Sequence, residues 1–585
     1  MICPKCGKEY PDDVTACPSC EEELQASVPA PTEPVAASGR TPRRWGPFVA
    51  CVAILIAVLV CVAYYLFTKT APLSAMLPEK SPLVIALDAN WAWNAIEDVR
   101  KDPDAGKSIA EAEKEMGLSI DKDIMPWIGQ IAIVPTEIGP MGPPKVAFFV
   151  QVSNWPKLLQ SEKKLQQMTE KSAGSKWTNY SYKGVTLSKL EMGAGQPAVA
   201  AGRVGGWFVV GMGADVVEKI IDVSQGRATS LAKNAAWSKA LAKMPKKPVF
   251  WYGMDMAEYL AMFRKLSPMS AMMPPSVMEM SNSVAVIALT EKPDELRLDG
   301  FSVANSDKVR QMMKDLKGDM KPVSDKAFKQ LPEGTVLALM MSSPGKLWEK
   351  YKAMLLDMSQ TPEQRRQMEA GFKQGEAIEK ALNRLTGQCA LGLVWSDKTG
   401  FGLSLVGETD SSSNAQSASA DVARFMTEVG LRMEHKGDVY SIPSVAAHEE
   451  FFSGTPAWGS RSEWFVFATK PEWVRGGVMN SMAFPSELNG VDSGVVADFK
   501  FLDSVLAKAE KSVPASGKEE MAVVRGMGMD KAKLLGWGST DPNGEWSQST
   551  MVLNNWEWRK AIKGVLMLGK ETQRAMQVPR AAPHP

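Results

Sequence analysis

Histidine is scarce in this chain, with three residues in 585, and neither sign of charge is in excess, since 67 Lys and Arg stand against 66 Asp and Glu. So few imidazoles argue against an enzyme that holds a catalytic metal through several histidines. The net charge of +1 supplies no basic field for nucleic acid. We therefore expect neither a histidine-rich metal enzyme nor a nucleic-acid partner.

Cysteine is equally scarce after the start of the chain. Beyond residue 69 the sequence holds a single cysteine, Cys389, so this region has no pair for an internal disulfide and its stability must come from burial. Catalytic patterns are incomplete, because His448-Glu449-Glu450 lacks the second histidine of a zinc-protease helix. The sequence favours a protein that is not an enzyme.

Four cysteines stand within the first twenty residues as two Cys-Pro-x-Cys turns, namely Cys3, Cys6, Cys17 and Cys20. Two such turns aim four thiolates at one metal ion, and an all-cysteine tetrahedron leaves no open coordination position. The pattern predicts a structural zinc ion. The segment resembles the zinc-ribbon modules at the N-termini of many bacterial membrane proteins, and we predict a zinc ribbon over residues 1–22 followed by a disordered linker over 23–44.

Residues 45–68 contain no charged side chain and consist mainly of Val, Ile, Leu, Ala and Phe. About 20 apolar residues suffice to cross a bilayer, so this segment predicts one transmembrane helix. Three arginines in 40–44 precede it, whereas Lys69 and Lys80 follow, which favours a cytosolic N-terminus. We predict a protein of the cytoplasmic membrane, with the lipid bilayer as a partner and an extracytoplasmic C-terminal region.

Four short motifs recur in the same order at a spacing of 253 to 258 residues. In the first copy the four motifs begin at Leu77, Gly129, Lys183 and Trp207. In the second copy they begin at Leu331, Gly387, Lys436 and Trp464. Strand-like and helix-like stretches alternate around them. The predicted fold class is α+β: after the ribbon and the membrane helix come two tandem copies, residues 72–325 and 326–570, each with a mainly antiparallel sheet and helices on one face. A disordered tail over 571–585 ends the chain.

A family resemblance rests on two passages of the first copy, LPEKSPLVIALDANW and LSIDKDIMPWIGQIAIV. They resemble a bacterial domain family of unknown function that opens with Leu-Pro, a strand and a helix, and then carries an acidic-Leu-Pro-Trp-Ile/Leu-Gly segment. Asp123, Pro126, Trp127 and Gly129 match that segment. The second copy departs from it at 385–387. The resemblance implies a membrane-anchored extracytoplasmic protein, and it brings no activity and no catalytic residue.

One stretch is unusually rich in methionine and interrupted by proline. Its methionines are Met262, Met269, Met272, Met273, Met278 and Met280. Flexible thioethers suit contact with an apolar ligand or the bilayer, and they also suit Cu(I) or the ordinary filling of a loop. We interpret the stretch as a candidate apolar contact.

These patterns together predict a single-pass envelope protein whose extracytoplasmic region binds or scaffolds a partner. The expected partner is an envelope protein or a hydrophobic ligand. Two alternatives remain open from the sequence: a carrier or sensor for a hydrophobic ligand, and an enzyme of unrecognised type that uses scattered carboxylates.

The four-cysteine motif generates a direct test. We expect the full chain to hold one zinc ion, and Cys6→Ser to lose it, because three thiolates no longer complete the tetrahedron. Elemental analysis of the purified protein measures the stoichiometry. A chain without stoichiometric zinc, or a Cys6→Ser variant that binds zinc as tightly as the parent, contradicts the prediction.

Overall fold

The computed structural model describes residues 71–137, 145–158, 174–192, 197–264, 281–357, 361–397, 400–443, 454–476, 482–512 and 518–562, with a few single positions between and after these ranges. The predicted zinc ribbon, linker, membrane helix and tail, at 1–22, 23–44, 45–68 and 571–585, lie outside the described residues.

In the described part of the chain, twenty strands make up one sheet. They are β1 Leu83–Asp88, β2 Ile128–Glu137, β3 Lys145–Val152, β4 Trp177–Tyr182, β5 Val185–Leu190, β6 Val199–Val204, β7 Trp207–Met212, β8 Phe250–Asp255, β9 Ser283–Lys292, β10 Glu295–Ala304, β11 Thr335–Ser342, β12 Gln388–Ser396, β13 Gly400–Glu408, β14 Glu434–Lys436, β15 Val439–Ser441, β16 Ala457–Arg461, β17 Trp464–Ala468, β18 Ser493–Asp498, β19 Lys533–Thr540 and β20 Trp546–Asn554.

The helices whose bounds lie in the described ranges connect these strands. They are α1 Ala89–Ala95, α2 Glu97–Arg100, α3 Pro103–Met116, α4 Ala214–Ser224, α5 Ala235–Lys243, α6 Met256–Arg264, α7 Asp307–Asp319, α8 Asp325–Lys329, α9 Pro344–Asp357, α10 Pro362–Gln374, α11 Glu376–Asn383, α12 Ser412–Glu428, α13 Pro471–Val474, α14 Phe501–Ser512 and α15 Lys518–Gly526. Within this part of the chain, no helix combines the length and the apolar character that a membrane crossing needs.

Every strand pairs antiparallel with its neighbours. The first ten strands lie in the order β4-β5-β6-β7-β3-β2-β1-β8-β9-β10. The order then continues β20-β19-β18-β11-β12-β13-β17-β16-β15-β14. Both halves thus have the same strand order, and they meet where β10 pairs with β20.

The predicted fold class is wrong in its architecture. We expected two tandem units, each with its own sheet and with helices on one face, whereas the strands form one continuous sheet of twenty. The physical reason is edge pairing: β10 and β20 each end their half with a free backbone edge, and these edges hydrogen-bond to each other over their whole length. Helices also lie on both faces, as the apolar clusters below show. The membrane helix in the same prediction has no counterpart among the described helices.

One face of the sheet carries the main apolar cores. In the first half, Ala86, Phe149 and Val286 are fully buried beneath Ile220 of α4 and Trp237 of α5. Gly253 is required here, because a Cβ atom on it would come within 2.5 Å of the Trp237 ring. In the second half the same face is buried against Phe328, Leu331 and Leu488, among other side chains.

The motif that carries the family resemblance is structural. Trp127 is fully buried, and its Nε1 donates to the backbone oxygen of Asp123 at 2.5 Å. The Asp123 carboxylate accepts from the backbone N–H of Ser119 at 2.9 Å. The motif therefore fixes the turn that leads into β2.

A buried charge lies at the junction of the two halves. Asp299 of β10 is 3% exposed and accepts from Thr550 Oγ1 of β20 at 2.7 Å. Arg297 Nε donates to the same carboxylate at 2.8 Å, and this hydrogen bond raises the pKa of Arg297. The contact ties β10 to β20 with a charge-assisted hydrogen bond.

Removing that carboxylate should weaken the sheet at its centre. We expect Asp299→Ala to lower the free energy of unfolding of the full chain by about 3 kcal/mol, because Arg297 and Thr550 lose their buried acceptor. Lys292→Ala, which removes an exposed ion pair with Glu295 in the same hairpin, should cost less than about 1 kcal/mol. Urea denaturation measures both, and equal losses would contradict the role of Asp299.

Candidate functional site

The structure describes one of the predicted site residues. Met262 lies in α6 and is half-buried, beside Phe263, which is 39% exposed. The other methionines of the predicted contact, Met269, Met272, Met273, Met278 and Met280, lie outside the described residues, as do Cys3, Cys6, Cys17 and Cys20. The zinc site and the methionine contact therefore stay predictions.

The feature that stands out instead is the second face of the sheet, opposite the main cores. A row of directly opposed side chains crosses eleven strands on this face. The row runs Ile131, Leu87, Phe250, Leu289, Leu298, Met551, Gly536, Val495, Leu339, Leu391 and Leu405. All of these residues are uncharged, and all but the glycine carry large apolar side chains.

Side chains of this row and of its neighbouring rows remain open to solvent. Their exposed fractions lie between 36% and 42% for Ile133, Ile287, Leu298, Leu339, Met341, Leu391, Leu403 and Met551. We call the row and these neighbours the apolar floor. Each side chain is exposed to a similar degree, so the floor is an extended surface and not a single deep pocket.

Helices border the apolar floor at the ends of its strands. Phe501 of α14 lies 6.3 Å from the ring of Trp395 and 5.7 Å from that of Phe401, both on this face. On the other half, Tyr252 lies on this face just before α6, and its pKa is raised by burial and by nearby Tyr259 of that helix. The floor is thus framed by aromatic side chains from helices on its own side.

At its outer end in the second half the floor becomes a covered core. There Cys389, Phe465 and Trp458 are buried against α11 and α12. Burial raises the pKa of the Cys389 thiol to about 12, so this lone cysteine stays protonated and unreactive at neutral pH. The exposed part of the floor therefore extends from Ile133 on β2 to Leu403 on β13, with β10 and β20 at its centre.

A polar cleft of about 590 Å³ is the second candidate site. Its charged and hydroxyl side chains include Lys321, Thr386, Glu408, Asp410, Ser411 and Glu463. Thr386 Oγ1 donates to Asp410, and Glu408 accepts from the backbone N–H of Gln388 at 3.0 Å. These carboxylates hold the entries to β12 and α12. Across the described residues, no group of three or more His, Cys, Asp or Glu is arranged to hold a metal ion.

Sequence reasoning missed the apolar floor, although its signal is present. Strands such as Leu83–Asp88 and Thr335–Ser342 are apolar at successive positions and do not alternate with polar residues. Such strands are expected to be covered on both faces. In the structure one of the two faces lacks that cover among the described residues.

Comparison with known proteins gives one match. A family model described as a protein of unknown function (DUF3352) matches residues 48–437. No curated protein and no solved structure matches the chain. The match confirms the resemblance to a family of unknown function, and it includes the first half of the sheet and the second half as far as β14.

Neighbouring residues of β9 test the difference between the two faces. Val286 is fully buried, whereas Ile287 on the floor is 36% exposed. Val286→Asp should cost more than about 4 kcal/mol of stability or prevent folding, because it buries an unpaired carboxylate. Ile287→Asp should cost about 1 kcal/mol. Chemical denaturation of both variants measures the contrast, and an equally damaging Ile287→Asp would show that the floor is covered.

Proposed function

The chain belongs to the DUF3352 family, whose function is unknown, and we propose that it acts by binding a long-chain apolar molecule on the apolar floor. The observation that carries the proposal is the uncharged row of apolar side chains from Ile131 to Leu405, in which Gly536 is the one position without a side chain. Of the alternatives that the sequence leaves open, this is the carrier or sensor of a hydrophobic ligand.

The size of the floor supports a ligand. Eleven strands at a spacing of about 4.8 Å extend about 48 Å across the sheet, and three rows of alternate side chains extend about 14 Å along the strands. The product, about 670 Å², is the whole extent of the floor including its half-buried and polar positions, and it is comparable to the largest apolar patch of a typical monomeric protein, about 300–600 Å². Leaving such a surface in water is unfavourable, so we infer that a partner covers it.

The composition of the floor favours an acyl chain over a charged or globular partner. Leu298 and Met551 at its centre are flexible or branched aliphatic side chains that adapt to a methylene chain, and each buried methylene contributes about 0.8 kcal/mol. The bordering helices α6 and α14 carry Tyr259 and Phe501 towards the same face. The proposed acyl chain would lie along the row between these aromatic borders.

An enzymatic role has less support. The polar cleft beside α12 has carboxylates that already accept hydrogen bonds from neighbouring turns, as Asp410 does from Thr386. A cluster of this kind, without a recognised nucleophile or base in it, does not define a reaction. Binding without chemistry therefore remains the better account.

The cellular setting stays a prediction from the sequence, as does the structural zinc ion at Cys3, Cys6, Cys17 and Cys20. We propose that the chain is anchored at the cytoplasmic membrane with its N-terminus in the cytosol and the sheet outside. A lipid-binding floor suits that setting, because acyl chains are at hand in the adjacent bilayer. A scaffolding role for an envelope protein partner is the competing proposal.

A photoactivatable fatty acid tests the proposal. Palmitic acid that carries a diazirine in its acyl chain is supplied to membranes that contain the full protein. After photoactivation we expect covalent adducts on peptides from β10 and β20. Leu298→Asp combined with Met551→Asp should abolish these adducts, because carboxylates on the floor make burial of an acyl chain costly. Mass spectrometry of the labelled peptides measures the effect.

The matched control is Val429→Asp. Val429 is the most exposed large apolar side chain in the described part of the chain, at 53%, and it lies just after α12, away from the floor. Its substitution should leave the labelling of β10 and β20 unchanged. Labelling that avoids these strands, or that persists in the double variant, would overturn the proposed function.

A further inference from the structure

The apolar floor is not uniform, because a cluster of hydroxyl side chains lies beside its centre. Gly300, two positions after Leu298 on β10, pairs with Ser549, two positions before Met551 on β20. Two positions further along the same strands, Ser302 pairs with Ser547. The neighbouring strands continue the cluster, since Ser549 opposes Gly538, Ser547 opposes Thr540, and Ser493 opposes Gly538. We call Ser302, Ser493, Thr540, Ser547 and Ser549 the hydroxyl patch.

These hydroxyl groups are available to a ligand. Within the described part of the chain, the side chains of the hydroxyl patch make no hydrogen bond to another protein group, and Ser493 and Ser549 are exposed. The glycines between them keep the space open: a Cβ atom on Gly300 would come within 2.6 Å of Ser549 Oγ, and one on Gly538 within 2.9 Å of Ser493 Oγ. Glycine inside a strand commonly marks such a close approach.

The carboxylates around the patch have partners within the protein. Asp541, next to Thr540, accepts from the backbone N–H groups of Asn543 and Glu545. Asp492, next to Ser493, is 5% exposed and paired with Lys317. Glu291 lies on this face at the far end of β9, where it accepts from Trp91 Nε1 at 2.5 Å and from Arg559 at 3.0 Å. A ligand at the centre of the floor therefore meets aliphatic side chains on one side and uncharged hydroxyl groups on the other.

We infer that the ligand of the apolar floor is an amphiphile with an uncharged head that carries hydroxyl or ester groups, such as an acylglycerol. This inference rests on the proposed function and names the ligand class for the same site. Hydroxyl side chains both donate and accept hydrogen bonds, which matches ester and hydroxyl groups. A carboxylate or phosphate head would need a cation beside it to offset its desolvation, and the patch supplies none.

Competition against the diazirine fatty acid tests the inference in membranes that contain the full chain. The competitors are 1-monooleoylglycerol and oleate, which share one acyl chain and differ in the head, with concentrations expressed as mole fractions in the membrane. Monooleoylglycerol should displace the label at about a tenfold lower concentration than oleate. A ratio of this size corresponds to one or two additional hydrogen bonds between the uncharged head and the hydroxyl patch. Ser302→Ala combined with Ser549→Ala should reduce this ratio to about threefold or less.

Ser539→Ala is the matched control, because Ser539 lies on the opposite face of β19. It should keep the full ratio, and Ser549→Thr, which retains the hydroxyl group, should keep it as well. Equal competition by the two lipids, stronger competition by oleate, or a ratio unaffected by the double serine variant would overturn the uncharged-head inference while the proposed function stands. If the double variant Leu298→Asp and Met551→Asp is still labelled, the proposed function itself is overturned.

Discussion

The pairing of β10 with β20 is the interaction on which the rest of the structure depends. Each half of the chain ends in a hairpin whose outer strand has a free backbone edge, and the nine residues from Glu295 to Val303 satisfy that edge against Trp546–Asn554. The pairing merges two ten-stranded halves into one sheet. The apolar floor and the hydroxyl patch are both centred on this junction, so neither would exist in full if the halves were separate.

A sheet of apolar strands has two faces that other elements are expected to cover. In this protein the described helices and loops cover the two faces unequally. On one face α4 and α5 pack on the first half, and Phe328 and Leu488 pack on the second. On the other face α11 and α12 cover the outer strands of the second half, and in the first half Val150 of β3 and Phe208 of β7 are fully buried. The central strands keep large aliphatic side chains there without a cover among the described residues. That imbalance is the basis of the proposed ligand site, since a purely solvated face would carry polar residues.

The sequence is sufficient for the individual elements and insufficient for their assembly. Apolar runs such as 337–341 and 390–395 predict strands that the structure contains, because strand formation depends on local pattern. The sequence pattern over 364–385 predicts one continuous helix, whereas the structure divides this stretch at Gly375 into α10 and α11. Joining β10 to β20 requires contact between residues about 250 positions apart, and no local pattern specifies which free edge will pair with which.

The candidate site shows the same difference between local pattern, which the sequence displays, and assembly, which it does not. The methionines around Met262 attract attention because their composition is unusual, whereas the residues of the floor look like ordinary core strands. Leu298, Met551 and Leu339 differ from core residues only in that nothing described packs over them, which is a property of the assembled sheet. The hydroxyl patch is harder still to see in the sequence, since Ser302 and Ser547 meet only across the junction.

The most direct measurement is an experimentally determined map of the full chain purified from its native source without added lipid. The account predicts elongated density that belongs to no protein segment, lying against Leu298 and Met551 with its polar end at Ser302 and Ser549. A map in which protein covers these four side chains, or in which they face bare solvent, would contradict the claim that the sheet binds an amphiphile.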